Sequence, residues 1–310
     1  VTALPDDYAP EKRTIKRVGI ITNPESGNRS QEATAAAAAE FVRHGVNVTS
    51  ATGLDPDSTR EIASWMIRDH HIDAIVVSGG DGLIHHVLQS QAGTDVPMGI
   101  IPAGTGNDFA HHYGLPRNPV KAARLIAAGK TQHADLGIHT TAEGVREYFA
   151  TITCCGFDSR VNARTNRLSW PKGTPRYVLA VLLEALNFHG YPAKITLDHK
   201  HVLEQDLFTT VAVGITSSYG GGMKISPDAD HTDGLLDITV IYGMSIPQAL
   251  KTFPKIFRGE FSSQDGVNTY HAKHVRVELE GAPVFSDGDF VSDPPIEVDI
   301  APAAGLFFVP

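Results

Sequence analysis

Val76-Val-Ser-Gly-Gly-Asp-Gly-Leu83 and, one helical pattern later, Pro97-Met-Gly-Ile-Ile-Pro-Ala-Gly-Thr-Gly-Asn-Asp-Phe-Ala110 decide the reading of this chain. Each is an apolar run that ends in a glycine-rich turn and then enters a helical pattern. Asp73–Ser78 reads as a buried strand and Met98–Ile101 as a second, shorter one. Gly79, Gly80 and Gly82 leave the first turn without side-chain bulk around one carboxylate, Asp81; Gly104-Thr105-Gly106-Asn107 makes the second turn. Glycines at such points let backbone N–H groups approach an anion, and the helix start that follows adds its positive dipole end. One such turn is weak evidence, because Gly and Asp serve any tight turn. Two after successive strands predict a phosphate-binding edge with an acidic group beside it.

The same grammar extends upstream. Arg17–Thr22 reads as a strand that ends in Asn23-Pro-Glu-Ser-Gly-Asn28, followed by an alanine-rich helix over Ser30–Arg43. A strand at Val46–Ala51, a helix at Ser58–Arg68 and, downstream, a helix at Pro119–Ala128 complete the unit. Strands alternating with helices at this spacing imply a mostly parallel sheet covered on both faces. All three glycine-bearing loops then share the carboxyl edge, where ligands of such sheets bind. Residues 1–15 read as a loose arm.

From Thr131 the pattern changes to period two: Gln132–Ile138, Arg146–Cys154, Ala193–Leu197, Phe208–Thr216, Leu236–Tyr242, His274–Leu279, Ile296–Ile300 and Leu306–Val309. Helical segments interrupt at Asp158–Leu168, Arg176–Phe188 and Ile246–Phe257. The expected fold class is therefore an α/β N-terminal domain, residues 1–132, followed by an antiparallel β-rich domain, residues 133–302.

Composition narrows the function classes. A formal net charge of -9 argues against nucleic acid as the main partner. Cys154 and Cys155 are adjacent and cannot form an ordinary staple, which points to a reducing cytoplasm. No apolar run reaches the length of a membrane span, and Val1–Lys16 carries no signal-peptide core. The histidine doublets at His70, His85 and His111 point in different directions on a helix and make poor chelates, and no HExxH is present.

Gly79-Gly80-Asp81-Gly82 with Gly104-Thr105-Gly106-Asn107-Asp108-Phe109-Ala110 resembles the signature of diacylglycerol-kinase-type lipid kinases, whose catalytic domain is similar to those of sphingosine, ceramide and, more distantly, NAD kinases. The resemblance implies a two-domain fold in which the C-terminal strand, about residues 303–310, returns to the first domain. It implies ATP as phosphoryl donor with Mg²⁺, and a lipid hydroxyl as acceptor, diacylglycerol ahead of a sphingoid base or NAD. The family has threonine where Leu83 stands, and Glu where Asp289 stands; these two departures keep open a non-catalytic nucleotide- or lipid-binding protein.

Carried over residue by residue, the resemblance places Asn23, Ser26, Gly27, the Gly79–Gly82 turn, Gly104, Thr105, Asn107 and Asp135 beside the nucleotide, with Asp81 helping to organise Mg²⁺. Each has a plainer reading: a capped strand-to-helix turn at Asn23, a helix N-cap at Asn107, a strand-end acid at Asp135. Transfer to a hydroxyl needs a carboxylate to take the proton. The resemblance assigns that role to Asp287 in Val284-Phe-Ser-Asp-Gly-Asp-Phe290, with Asp289 beside it; from the residues alone Asp-Gly is a hairpin turn. Asp230, Asp233 and the Leu235 carbonyl match a structural Mg²⁺ loop of some bacterial members, and equally suit a solvated turn. Cys155-Gly-Phe-Asp158 matches a further family stretch.

Two basic runs bear on membranes: Arg160, Arg164, Arg167, Lys172 and Arg176, opposed only by Asp158, and Lys251, Lys255 and Arg258 among Leu250, Phe253, Ile256 and Phe257. They suit docking on a bilayer or two solvated helix faces. The expected location is the cytoplasm, peripheral to the inner membrane face, with a lipid in the membrane surface and a nucleotide as partners, and a homodimer left open.

Overall fold

The computed structural model describes residues 6–23, 27–104, 106–171, 174–186, 190–220, 222–243, 248, 255–260 and 264–310. The chain divides into two compact units, residues 1–136 with 301–310, and residues 137–300.

The first unit contains β1 (Glu11–Lys12), β2 (Arg17–Thr22), α1 (Gly27–Arg43), β3 (Asn47–Thr52), α2 (Pro56–Arg68), β4 (Ala74–Gly79), α3 (Asp81–Gln91), β5 (Met98–Pro102), α4 (Asp108–His112), α5 (Pro119–Ala128) and the start of β6 (Lys130–Thr141). β3, β2, β4 and β5 pair in that order, all parallel, and Phe307 of the chain's last strand pairs parallel with Met98. Every residue of β4 is buried, as a central strand covered on both faces requires, so its apolar run is continuous rather than alternating. Ala37 and Phe41 of α1 and Ala122, Ala123 and Ile126 of α5 close over Val18, Ile20, Val76 and Ile101 on one face. α2 starts where a capping box and Pro56 place it: the Asp55 carboxylate accepts the Ser58 amide at 2.7 Å, and Ser58 bonds back. The register aligns Thr22 with Thr52 and Ser78, and Gly79 with Pro102, so the carboxyl ends of these strands form one level edge.

The N-terminal segment is not a loose arm within the described residues. β1 pairs antiparallel with β6, Tyr8 is buried, and Arg13 donates its amide to the Gly129 carbonyl at 2.7 Å. Gly129 has φ of +75°, and a Cβ there would stand 1.9 Å from the Arg13 carbonyl oxygen, so the α5 terminus and this segment fit together only around glycine. Polar sequence hid the contact because backbone and one tyrosine make it.

The chain leaves the first unit within β6 and returns within its last strand. The second unit holds β7 (Arg146–Phe149), β8 (Ile152–Gly156), α6 (Phe157–Arg167), α7 (Thr174–Leu186), β9 (Tyr191–Leu197), β10 (His201–Gly214), β11 (Leu236–Tyr242), β12 (Val267–Ala272), β13 (His274–Leu279), β14 (Val284–Ser286), β15 (Asp289–Ser292) and the start of β16 (Ile296–Phe308). Its pairs are antiparallel, in the path β15-β14-β8-β10-β9-β13-β16, with β11 on β10 and β12 on β11. The long β10 breaks register between Gln205 and Phe208: its first part pairs with β9 and its last part with β8 and β11. Val211, Val213, Ile238, Val275, Val277 and Val298 are among the residues that fill the resulting core.

Three expectations change here. The unit boundary falls at 136/137 rather than 132/133, because β6 runs unbroken through it. Arg146–Cys154 is two strands, interrupted at Ala150 and Thr151, while 296–308 is a single strand. β12, being polar, was not read as a strand, and the short β14 and β15 were read only through the Asp-Gly hairpin turn that joins them. The expected helix at 246–257 lies largely outside the described residues.

Candidate active site

The two glycine turns are tighter in the structure than in the sequence. β4 runs to Gly79 and α3 begins at Asp81, leaving Gly80 as the sole linking residue and the N-cap. Gly80 and Gly104 touch backbone to backbone: a Cβ on Gly104 would lie 2.5 Å from the Gly80 Cα. No side chain fits there, which is the physical reason both turns carry glycine at that point. The 104–107 turn is closed by Asn107, whose Oδ1 accepts the Gly104 amide at 3.0 Å and whose Nδ2 donates to the Gly104 carbonyl at 2.8 Å. Asn107 sits at φ of +54° and caps α4 by position only, not by its side chain, so the N-cap reading gives way to a turn clamp.

Asp81 occupies the first turn of α3, where the helix dipole favours a negative charge. Its Oδ1 accepts the Phe109 amide at 3.2 Å, which ties the first turn to the helix after the second. Its Oδ2 and an Asp108 carboxylate oxygen both lie over Gly106, 3.1 and 3.3 Å from where a Cβ would be. Asp108 was not singled out from the sequence; a second acid directly after the turn was the available signal. Leu83 is buried and packs against Gly79, so the departure from threonine is filled by an apolar contact. From the α1 side, Ser30 donates to the Ser78 carbonyl at 3.2 Å and Thr34 bonds the Ser78 hydroxyl at 2.8 Å, which fixes the start of α1 against the end of β4. Asn23 directly follows β2 and Gly27 opens α1 on the same edge; Ser26 and Thr105 lie outside the described residues.

Asp135 lies at the crossing of β6, the N-terminal segment and the returning strand. It is fully buried; its carboxylate accepts the Tyr8 hydroxyl and, at 2.9 Å, the Ala303 amide. A carboxylate with no exposed surface thus holds the N-terminal segment and the returning strand together. Burial first, then the bond to Asp135, push the Tyr8 hydroxyl above the ordinary phenol range, so it stays a donor.

In the second unit Asp287 stands at the tip of the β14–β15 hairpin with φ of +51°, followed by Gly288 at +93°, the left-handed pair that a two-residue hairpin turn needs. The tip is docked, not free. The Asp287 Oδ1 accepts the Thr151 amide at 2.9 Å and the Thr151 hydroxyl, and Oδ2 accepts the Ala150 amide at 3.2 Å. The Asp287 amide donates to the Ile152 carbonyl at 3.1 Å, and beneath it Thr153 and Ser286 share a hydroxyl bond of 2.8 Å. These donors come from the break between β7 and β8, which the sequence pattern had bridged. Thr151 and Ala150 are thus positioning residues that sequence reasoning missed. Asp289 opens β15 opposite Ser286 and is half-buried.

The acidic loop of 228–237 makes ordinary turns. Asp230 accepts the Thr232 amide at 2.9 Å and Asp233 the Leu235 amide at 2.9 Å. Among the described residues no group of three or more His, Cys, Asp or Glu side chains is disposed to hold a metal ion. Asp158 is buried, bonded by the Thr210 hydroxyl, the Tyr219 hydroxyl at 2.6 Å and the Ser159 amide at 3.0 Å, and so does not oppose the basic run of α6. Glu184 of α7 does: Arg160 reaches it at 3.0 Å and Arg164 bonds its other oxygen. Lys172, Leu250, Lys251 and Phe253 lie outside the described residues.

A parallel sheet with glycine turns at its carboxyl edge, joined in one chain to an antiparallel β unit that displays a docked aspartate, makes this a two-domain α/β plus β protein whose first sheet has the edge where such folds bind ligands. The diacylglycerol kinase catalytic domain matches residues 17–139, and the YegS C-terminal NAD kinase beta sandwich-like domain matches residues 151–307. The chain is 42% identical over 295 residues to a diacylglycerol kinase of Mycobacterium tuberculosis (strain H37Rv), covering 94% of this chain and 95% of the relative. It is 28% identical over 284 residues to a diacylglycerol kinase of Bacillus subtilis (strain 168), covering 89% and 90%. The crystal structure of a Bacillus anthracis (strain Sterne) diacylglycerol kinase shares the fold, with a TM-score of 0.71 at 19% identity over 96% of this chain and 98% of that one. This chain belongs to the bacterial diacylglycerol kinase and YegS-like lipid kinase family, and its catalytic domain makes it a phosphotransferase of the kinase type.

Proposed function

We propose that the protein transfers the γ-phosphoryl group of ATP to the hydroxyl of diacylglycerol, giving phosphatidic acid and ADP. The observation that carries the chemical part is the seating of Asp287: a carboxylate on a tight turn, oriented by two amides and a hydroxyl from the strand break. In this reading Asp287 receives the acceptor proton as the hydroxyl oxygen forms its bond to the γ-phosphorus and the bond to the ADP oxygen breaks. The preference for diacylglycerol rests on the names of the M. tuberculosis and B. subtilis relatives.

The nucleotide polyphosphate is assigned to the edge formed by Asn23, Gly27, Gly79–Gly82, Gly104 and Asn107, with Ser26 and Thr105 belonging to the same stretch of sequence. Mg²⁺ takes one or two carboxylates plus phosphate oxygens and several waters. The convergence of Asp81 and Asp108 over Gly106 fits that donor set, and the ion would supply charge neutralisation on the phosphates. Asp230 and Asp233 each accept an amide within their own turn, and this reading needs no second cation at Asp230, Asp233 and Leu235. Among the described residues no helix is long and apolar enough to cross a membrane, and the proposed station is peripheral, at the cytoplasmic face where the lipid lies.

Incubation of the purified chain with labelled ATP, Mg²⁺ and mixed micelles tests the reading. Labelled phosphatidic acid is expected; a labelled sphingoid phosphate or NADP would replace the acceptor, and no labelled product would overturn the proposal.

A further inference from the structure

α6 and α7 meet through Val161, Ala180 and Val181. Within this hairpin Arg160, Arg164, Arg167 and Glu184 line a pocket of about 240 Å³, with Pro283 on its wall. Glu184 lies deepest: its side chain is 6% exposed, against 36% for Arg160 and for Arg164. Both arginines reach it through Nε, Arg160 at 3.0 Å and Arg164 to the other oxygen. A guanidinium has five N–H donors, so a bond through Nε leaves four on the terminal nitrogens. Arg160 gives one of these to the Gly281 carbonyl at 3.3 Å. Among the described residues the other terminal donors, and the whole guanidinium of Arg167, meet no protein acceptor. Glu184 therefore fixes two forks in place without saturating them.

The hairpin holds no further acid to neutralise them. α7 has only Glu184, and Asp158 of α6 is buried and bonded to Thr210 and Tyr219. Three guanidiniums facing one carboxylate leave a surplus of two positive charges, in a chain whose formal net charge is -9. Arg160 and Arg164 are also four residues apart on one helix, a like-charge spacing that costs helix stability.

We propose that this pocket binds a phosphomonoester. Such a group carries about 1.5 to 2 negative charges at neutral pH, which matches the surplus. A carboxylate or a phosphodiester carries one and leaves half of it unmatched. Arginine forks bind phosphate oxygens in pairs. The volume is below the roughly 300 Å³ at which pockets for drug-sized ligands begin, so it takes the phosphoryl head rather than a whole nucleotide or lipid. Pro283 directly precedes β14, and β14 ends directly before Asp287, so the pocket lies at the opposite end of that short strand from the docked aspartate. The head of a phosphorylated lipid and a soluble phosphomonoester offer the same chemistry. The inference stands on the hairpin alone and does not rest on the proposed reaction.

Titration calorimetry at constant ionic strength, with the nucleotide edge filled by a non-hydrolysable ATP analogue, compares methyl phosphate with dimethyl phosphate. At about pH 8, above the second phosphate pKa of about 6, the monoester is a dianion and the diester is not. The monoester should bind about tenfold or more tighter, and Arg167→Gln should weaken it by about tenfold or more. Arg167→Lys, which keeps the charge and loses the fork, should fall between the two. Arg167 is exposed and bonds no described residue, so both variants should melt with the parent and keep its affinity for the ATP analogue. Phosphatidylcholine vesicles doped with phosphatidate or with phosphatidylglycerol then identify the source. Binding specific to phosphatidate and displaced by methyl phosphate supports the site with a lipid head as its ligand. Tight methyl phosphate binding without vesicle binding supports it with a soluble monoester. Equal affinity for the two phosphates, binding that Arg167→Gln leaves unchanged, or no saturable binding overturns the site. None of these readouts involves phosphoryl transfer, so failure here leaves the kinase reading standing, and failure of the labelled-ATP assay leaves this site standing.

Discussion

Replacing Asp287 by asparagine separates what this residue does for the reaction from what it does for the fold. Asparagine tolerates the left-handed backbone at φ of +51° as well as aspartate does, so the turn itself is not strained by the change. The amide keeps one acceptor oxygen for the Thr151 amide and hydroxyl. Its NH₂ group then meets the Ala150 amide, a donor against a donor, where the carboxylate had accepted at 3.2 Å. One charge-assisted bond is lost, worth about 1.5–3 kcal/mol. At roughly 2–4 °C per kcal/mol, the melting temperature should drop by about 3–12 °C, leaving the protein folded at room temperature. Turnover should fall much further, by about 10²–10⁴, the usual contribution of a positioned base. Nucleotide affinity, measured by titration calorimetry with a non-hydrolysable analogue, should hardly change. The assay is therefore a triad of thermal melt, kcat and nucleotide Kd on one preparation. A folded variant with parent-like kcat refutes the base assignment, and a Kd that worsens in step with kcat shows that Asp287 serves the nucleotide instead.

Three further outcomes follow from other contacts. Gly104→Ala puts a methyl group 2.5 Å from the Gly80 Cα, so the two turns must part; nucleotide binding is expected to weaken by about tenfold or more, and unchanged Kd would show the turns are not the phosphate edge. Tyr8→Phe removes a donor from the fully buried Asp135 and should cost about 1–3 kcal/mol in a denaturant titration, with an unchanged midpoint refuting the anchoring role of the N-terminal segment. Burial opposes ionisation of Glu184, but the hydrogen bonds from Arg164 and Arg160 outweigh it and hold its pKa below the ordinary glutamate value. Its contribution to stability is thus present above the unfolded pKa and lost as pH falls through the lower folded one. Glu184→Gln should be less stable than the parent at neutral pH and approach it below about pH 4.3 in melts across pH; a gap that stays constant in acid would refute the ion-pair role.

What the sequence alone determined is whatever depends on neighbours along the chain. Apolar runs such as Ala74–Ser78 and Met98–Ile101 mark central strands because burial on both faces removes alternation. Glycine turns after them announce an edge where backbone meets an anion, and Asp-Gly at 287–288 announces a hairpin because both residues tolerate positive φ. The resemblance in those same turns pointed to the family that the comparisons show. Tertiary structure decided what those local signals could not carry. Which donors hold Asp287 depends on Ala150 and Thr151, more than a hundred residues earlier and inside a run that alternation reads as continuous strand. That Asp135 is an anchor depends on Tyr8 and Ala303 from the two ends of the chain, and the partner of the α6 arginines is a glutamate one helix away. Side chains and amides brought together across such distances leave no periodicity, since their pairing is set by how elements pack and not by the residues between them.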